Sequence, residues 1–196
     1  MSSRILLIQG HPDNTERHLC HALAEAYAGG ATDAGHEVRT TAIASIDFPL
    51  LRSQKDWEQG AVPEGLRTAQ GDIRWADHIV LLFPLWLGDM PAIVKGFLEQ
   101  VARPGFAFEY GEGGTSFTKK GLKGKSARVV VTMGMPALVY RWFYRAHSVK
   151  SLERNILGFV GISPVNETLI GMVGNLDEAH ARNWERKLRA LGKKAI

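Results

Sequence analysis

Hydrophobic residues occur along this chain in short continuous runs, separated by stretches in which they recur every three or four positions. Four continuous runs cover residues 4–8, 79–84, 128–133 and 168–173. Strands that are covered by helices on both faces have this pattern, so each run predicts a buried strand. Residues 37–43 alternate apolar and polar side chains instead and predict a less buried edge strand.

Apolar residues recur at helical spacing in the segments between the strands, so each segment predicts an amphipathic helix. Asp177 is the predicted N-cap of the last helix, and Pro91 suits the first position of the helix that it opens. The predicted helices cover residues 16–28, 64–76 and 91–102, a segment marked by Val149, Leu152, Ile156 and Phe159, and a final segment marked by Ala181, Trp184, Leu188 and Leu191.

Strands that alternate with helices imply a parallel sheet, because parallel neighbours need crossover helices. With right-handed crossovers, five such strands usually take the order 2-1-3-4-5. We therefore expect one α/β domain over residues 1–196, a doubly wound five-stranded parallel sheet with helices on both faces. Such sheets bind ligands at the carboxyl ends of their strands, so the loops after the first, third and fourth strands are the candidate site.

Composition agrees with a folded domain and excludes several classes of protein. The 196 residues are 45% hydrophobic and 22% charged, which excludes a disordered or fibrous chain. The longest apolar run, residues 79–87, is about half of a membrane span, and we expect a cytoplasmic protein. The single cysteine, Cys20, cannot form an intramolecular disulfide. The net charge is +4, and the basic cluster at residues 119–128 favours a solvated loop, since no nucleic-acid motif accompanies it.

The loop after the first predicted strand contains neither a P-loop nor a GxGxxG motif. His11, Thr15, Arg17 and His18 lie in this loop, close to the start of a helix whose free N–H groups and dipole favour an anion. Polar residues at this position also cap helices. The sequence therefore leaves open both a phosphate cradle and an ordinary capped helix start.

The loop after the third predicted strand carries bulky apolar residues. Pro84, Leu85, Trp86 and Leu87 precede Gly88 there. Large apolar side chains in a loop favour a flat apolar partner, either an aromatic ligand ring or another subunit. Packing beneath a neighbouring loop is the alternative.

The loop after the fourth predicted strand comprises Thr132, Met133, Gly134 and Met135. Its glycine allows a ligand to approach the backbone, whose N–H groups can meet a developing negative charge. Tyr140 and His147 follow and could supply a hydrogen-bond donor and a proton acceptor. The aromatic residues near them could instead form a dimer interface, and both roles can hold together.

These segments resemble the NAD(P)H:quinone oxidoreductases of the flavodoxin-like fold, a group that includes bacterial modulator-of-drug-activity reductases and the ancillary reductases of potassium efflux systems. The most specific match is Phe83-Pro84-Leu85, then Pro91-Ala92-Ile93-Val94-Lys95-Gly96-Phe97, then Gly105-Phe106-Ala107-Phe108, which is similar to the family's isoalloxazine-binding loop and the helix after it. Shorter matches are Gly10-His11-Pro12 and Thr132-Met133-Gly134-Met135 with Tyr140. The chain departs from the family at Met133 and Met135, and His147 follows Tyr140 by seven residues rather than six.

The resemblance implies an NAD(P)H dehydrogenase (quinone), which passes a hydride from NADH or NADPH through flavin N5 to a quinone in two half-reactions. It implies a bound flavin, FAD or FMN, a homodimer, and no metal. The alternatives are a flavin-binding regulatory subunit of a membrane transporter, such as a potassium efflux system, and a flavodoxin-like electron carrier. Carriers of this fold are typically acidic, unlike this chain, whose pI is near 9.3.

The same resemblance implies a role for each candidate residue. The phosphate ligands are His11, Thr15, Arg17 and His18. The flavin ring is held by Pro84, Leu85, Trp86, Leu87, Thr132, Met133, Gly134 and Met135. Tyr140 and His147 are the catalytic residues, and Phe106, Phe108 and Trp142 form the substrate face, which could reach across a dimer.

Overall fold

The computed structural model describes residues 2–110 and 117–196, and its central element is a five-stranded parallel sheet. In chain order the strands are β1 (Arg4–Gln9), β2 (Glu37–Ala42), β3 (His78–Pro84), β4 (Phe108–Tyr110), β5 (Phe117–Lys120), β6 (Ser126–Thr132) and β7 (Val165–Ile170). The sheet has the order β2-β1-β3-β6-β7, and β4 and β5 form a separate antiparallel pair. This order confirms the predicted doubly wound sheet, with β6 and β7 as its fourth and fifth strands.

Helices cover both faces of the sheet. They are α1 (Leu19–Asp33), α2 (Gln54–Gln59), α3 (Glu64–Trp75), α4 (Ala92–Val101), α5 (Ala137–Trp142), α6 (His147–Ser151), α7 (Gly158–Val160) and α8 (Glu178–Gly192), with a π-helical segment at Leu152–Leu157 and short 3₁₀ turns at Ile43–Ser45 and Val173–Asn175. Helices α1 and α8 pack on one face, whereas α3, α4 and residues 147–160 pack on the other. No helix within the described residues is long and apolar enough to cross a membrane.

Close packing of α1 against α8 explains why α1 continues to residue 33 rather than ending at residue 28. A Cβ atom on Gly30 would lie 2.0 Å from the Arg189 carbonyl oxygen, and one on Gly192 would lie 2.1 Å from that of Tyr27. Only glycine permits this approach of two helix backbones, and the resulting contact offsets the low helix propensity of glycine. The predicted N-cap of α8 is confirmed, because an Asp177 carboxylate oxygen accepts a hydrogen bond from the His180 N–H.

The last strand ends three residues earlier than the apolar pattern predicts. The chain leaves the sheet at Gly171, where a Cβ atom would lie 2.4 Å from the Ala137 nitrogen. Met172 then has a φ of 58°, a left-handed conformation that cannot continue a strand. The apolar residues after Ile170 therefore belong to a turn, in which Met172 is exposed.

The basic segment at residues 119–128 is solvated in its first part only. Lys119, Lys120 and Lys123 are exposed, as the composition suggests, and Lys120 donates a hydrogen bond of 2.8 Å to the Gly158 carbonyl. Lys125 is half-buried and donates a hydrogen bond of 2.8 Å to a carbonyl near the end of α3. Arg128 is buried in β6 and donates to the Thr168 hydroxyl at 2.7 Å, so the end of the segment belongs to the fold rather than to a solvated face.

Candidate active site

The loops that follow β1, β3 and β6 meet at one edge of the sheet. The His11 ring lies edge-on to the Trp86 ring, with centroids 6.3 Å apart. The Leu85 N–H donates to the Thr132 carbonyl at 2.7 Å. One site at the carboxyl edge of the sheet thus contains all three loops, as the doubly wound topology predicts.

The loop after β3 is a tight hairpin from Trp86 to Asp89. Each of these two residues donates its N–H to the carbonyl of the other, at 2.9 and 3.0 Å. The two central residues, Leu87 and Gly88, have φ angles of 49° and 83°, which is the pattern of a type I′ turn. Leu87 is fully exposed and Trp86 is 51% exposed. A leucine in a left-handed conformation costs about 1–2 kcal/mol, and such strain concentrates at functional sites.

Three histidines gather where the loop after β1 enters α1. The buried His11 ring stacks on His18 with centroids 3.9 Å apart, and the His21 ring lies 5.4 Å from His11. The His18 N–H donates to Nδ1 of His21 at 3.0 Å, which fixes the first turn of the helix. Burial lowers the pKa of His11 and of His21, so both rings are neutral at pH 7.

Two carboxylates border the histidines. Asp13 Oδ1 accepts hydrogen bonds from the hydroxyl and N–H of Thr15, at 2.6 and 2.8 Å, and Oδ2 lies 2.9 Å from His18 Nε2. The Thr15 hydrogen bonds, with the contact to His18, hold the pKa of Asp13 well below its ordinary value. Ligand atoms of Asp13, Glu16 and His18 lie within 4.8 Å of one another, but exposed carboxylates alone do not define a metal site. Their negative charge opposes a phosphate here unless neighbouring imidazoles carry protons.

Arg17 lies apart from the other residues predicted to bind phosphate. Its guanidinium donates to a Glu25 carboxylate oxygen at 2.8 Å, and both side chains are more than half exposed. Arg17 lines the groove between α1 and α8 rather than the loop cluster.

Contacts of Thr132 and Met133 fix the start of the loop after β6 against the rest of the fold. Thr132 is buried and its hydroxyl lies 3.2 Å from the Cys20 sulfur; burial raises the pKa of that thiol to about 11. Met133 is buried and its N–H donates to the last carbonyl of β7 at 2.8 Å. Among the residues that the structure describes, no group accepts a hydrogen bond from the N–H of Gly134 or Met135. Gly134 is exposed, and a Cβ atom on it would meet nothing within 4 Å, so a ligand can approach the backbone there.

Tyr140 is only 2% exposed, and its hydroxyl has partners other than His147. The hydroxyl oxygen lies 2.6 Å from Ser148 Oγ and accepts a hydrogen bond of 3.3 Å from the Val149 N–H. The two residues before His147 have φ angles of 54° and 49°, and this turn leaves His147 exposed while its successors face Tyr140. The structure therefore does not pair Tyr140 with His147. Sequence analysis missed Ser148, because the pairing depends on the left-handed turn.

The three residues predicted to form the substrate face do not meet within one chain. Phe106 packs beneath the Arg74 guanidinium, 5.1 Å from the ring centroid. Phe108 is buried, and its ring lies 5.0 Å from that of Phe159. Trp142 is 76% exposed on α5. Phe108 begins β4, which pairs with β5 outside the main sheet.

Two adjoining cavities open near the hairpin. The smaller, of about 200 Å³, lies between the hairpin and α6. The larger, of about 540 Å³, lies between α2, α4 and residues 155–160, and Phe108 forms part of its wall. Lys95 and Ile156 line both cavities.

Comparison with known proteins agrees with this architecture. The model of the family described as having a flavodoxin-like fold matches residues 3–194. The chain belongs to this flavodoxin-like family. A relative from Haemophilus influenzae named an uncharacterized NAD(P)H oxidoreductase is 29% identical over 198 residues, covering 95% of this chain and 96% of the relative.

Two further proteins are similar to this chain. An FMN-dependent NADH:quinone oxidoreductase from Vibrio parahaemolyticus is 33% identical over 125 residues, which is 61% of each protein. The solved structure of an NAD(P)H:quinone oxidoreductase from Methanothermobacter marburgensis covers 100% of both chains with a TM-score of 0.83. Its sequence identity is 23%, so this likeness shows the shared fold.

Proposed function

We propose that this protein is a flavin-dependent oxidoreductase that reduces quinones with NADH or NADPH. The observation that carries the proposal is the pair of N–H groups at Gly134 and Met135 that have no hydrogen-bond acceptor among the described residues, in the same cluster of loops as the exposed Trp86 ring. A flat aromatic ring system with a carbonyl-bearing edge fits this combination of indole surface and amide donors. A relative that matches 95% of the chain is named an NAD(P)H oxidoreductase, and one that matches 61% of it is named an FMN-dependent NADH:quinone oxidoreductase.

Different residues of the loop cluster would bind different parts of a flavin. When bound, the flavin supplies the hydride transfer between nicotinamide and quinone. Gly134 and Met135 would donate to the pyrimidine edge of the ring, while Thr132 and Met133 hold their loop against the sheet. The ring would lie along the hairpin at Pro84, Leu85, Trp86 and Leu87.

The phosphate end would lie at the start of α1, beside His11, Thr15 and His18. Helix N-termini favour phosphate, and an incoming dianion favours the protonated form of each imidazole near it. Arg17 could join them, since an exposed ion pair such as that with Glu25 contributes only about 0–1 kcal/mol. Protonated histidines would also balance the charge of Asp13.

We further propose that the active unit is a homodimer. Trp142 and Phe143 are 76% and 78% exposed, and Leu87 is fully exposed on the hairpin. Exposed apolar side chains in such number mark an interface. A second copy that covers them could bring its Phe108 cavity over the hairpin, which would assemble the substrate face from two chains. The transporter partner implied by the resemblance stays a prediction, and a pulldown from membranes would test it.

The first test is the cofactor itself. We expect the purified protein to be yellow and to oxidise NADPH when menadione is added, and chromatography of the released cofactor distinguishes FMN from FAD. Trp86→Ala should weaken flavin binding about tenfold, because stacking on an aromatic side chain contributes about 1–3 kcal/mol. Trp184→Ala, on α8, is the matched control and should bind flavin normally. Protein that stays colourless and inactive after reconstitution with FMN and with FAD would contradict the proposal.

A further inference from the structure

The hydroxyl of Tyr140 is enclosed by two groups from the start of α6. Ser148 Oγ lies 2.6 Å from it, and the buried Val149 N–H donates to it at 3.3 Å. With 2% of Tyr140 exposed, a ligand cannot reach this hydroxyl without displacing the helix start. The tyrosine is therefore built into the wall of the site rather than into its open face.

Either hydroxyl of the pair can be the donor at this separation, and the surrounding hydrogen bonds favour Tyr140. The Tyr140 oxygen already accepts the Val149 N–H. A phenol is a better donor than an aliphatic alcohol, and the arrangement that uses every donor has the phenol O–H donating to Ser148 Oγ. The Ser148 O–H is then free to donate elsewhere.

That donor has access to the cavity beside the hairpin. Ser148 is half-buried and lines the 200 Å³ cavity together with Asp89 and Met90 of the hairpin end. The neighbouring residue His147 is exposed and does not line this cavity. A hydroxyl that is held in place by a buried tyrosine at the wall of a cavity is a preorganised donor.

We propose that Ser148 donates a hydrogen bond to a carbonyl-type oxygen of the electron acceptor, and that Tyr140 is the positioning residue that orients it. This inference rests on the proposed function for the identity of the acceptor. It places Ser148, rather than His147, beside the Tyr140 hydroxyl. The recognised chemical class is a quinone or a similar aromatic ketone.

The test compares two ligands that differ in their oxygens. Binding of menadione and of 2-methylnaphthalene, which lacks both carbonyls, is measured on the oxidised holoprotein without NADPH. Ser148→Ala should weaken menadione binding about fivefold, the effect of one hydrogen bond, and leave 2-methylnaphthalene binding unchanged. Ser148→Thr keeps the hydroxyl and should restore menadione binding, and Thr68→Ala on the exposed face of α3 is the control for hydroxyl removal.

A second measurement reports on the pair without any ligand. The ¹³Cζ resonance of Tyr140, assigned by its loss in Tyr140→Phe, should shift in Ser148→Ala and return in Ser148→Thr. In turnover, Ser148→Ala should raise the KM for menadione more than it lowers kcat. Equal weakening of both ligands, or no change in either, would overturn the inference. A protein that binds no flavin would instead refute the proposed function, while the ¹³Cζ shift would still report whether the Tyr140–Ser148 pair forms.

Discussion

His78, at the start of β3, is a buried histidine with an incomplete set of hydrogen bonds. Its Nδ1 lies 2.8 Å from the Ser126 hydroxyl, and its Nε2 has no partner among the described residues. Burial, with a smaller contribution from the charge of Arg128, lowers the pKa of His78 to about 4. The folded protein therefore holds this ring neutral, whereas the unfolded chain protonates it near pH 6.5.

The consequence is a loss of stability in mild acid. Below pH 6.5 the His78 ring is protonated in the unfolded state but stays neutral in the folded state. The free energy of unfolding therefore falls as the pH is lowered, until the pH reaches about 4. We expect His78 alone to account for about 3 kcal/mol over that range. Urea unfolding between pH 7 and pH 4 measures it, with His78→Asn as the comparison, because an amide can keep the Ser126 hydrogen bond without titrating. Identical pH slopes in the two proteins would show that His78 does not govern acid stability.

At the scale of the element, the sequence of the hairpin after β3 departs from the residue preference of its turn type. A type I′ turn favours asparagine or glycine at both central positions, and the chain places leucine at the first. Leu87 is fully exposed, so it contributes no packing within the chain. Retaining a strained and exposed leucine is reasonable only where a ligand or a second chain covers it.

Leu87→Asn should therefore stabilise the flavin-free protein by about 1 kcal/mol, because asparagine tolerates the left-handed conformation. Gly88→Ala, in the neighbouring position with a φ of 83°, should destabilise it by about the same amount. Urea unfolding compares the two variants with the wild type. We expect Leu87→Asn also to weaken flavin binding or self-association. A Leu87→Asn protein that is less stable than the wild type would mean that the turn strain is compensated within the chain.

Among the elements, the sequence predicts the positions of the buried strands but not the point at which the last strand ends. Strands β1, β3 and β6 are covered on both faces, and a continuous apolar run is sufficient to locate them. The end of β7 is set by Gly171 packing against the residue that opens α5, a contact between distant segments. The apolar pattern of residues 168–173 contains no information on that contact, so the predicted strand extends beyond the observed one.

Contacts between distant segments also limited what could be predicted of the candidate site. The three loops could be placed together because the topology brings the strand ends to one edge. The partner of Tyr140 could not be predicted, because two left-handed residues before His147 decide which side chain faces the phenol. Phe108 could be identified as a residue of interest but not positioned, because its strand pairs with β5 outside the main sheet.

At the scale of the whole molecule, one subunit leaves the apolar side chains around α5 and the cavity bordered by Phe108 uncovered. Trp142 and Phe143 project from α5, which follows directly on the loop that carries Gly134. The 540 Å³ cavity with Phe108 in its wall opens beyond Lys95, which also lines the smaller cavity beside the hairpin. In a twofold dimer the same surface of each copy forms the interface. One interface would therefore cover the exposed aromatic side chains of both subunits.

Phe143→Asp should therefore convert the protein from dimer to monomer in sedimentation velocity, because a carboxylate cannot be buried unpaired in an apolar interface. The side chain is 78% exposed, so the fold of each subunit should be unaffected. If the substrate face is shared, the monomer should retain most of its flavin while its menadione reductase activity falls at least tenfold. Ile196→Asp, at a site 42% exposed and held near Arg128, is the control and should remain dimeric. A Phe143→Asp monomer with full activity would place the complete acceptor site within one chain.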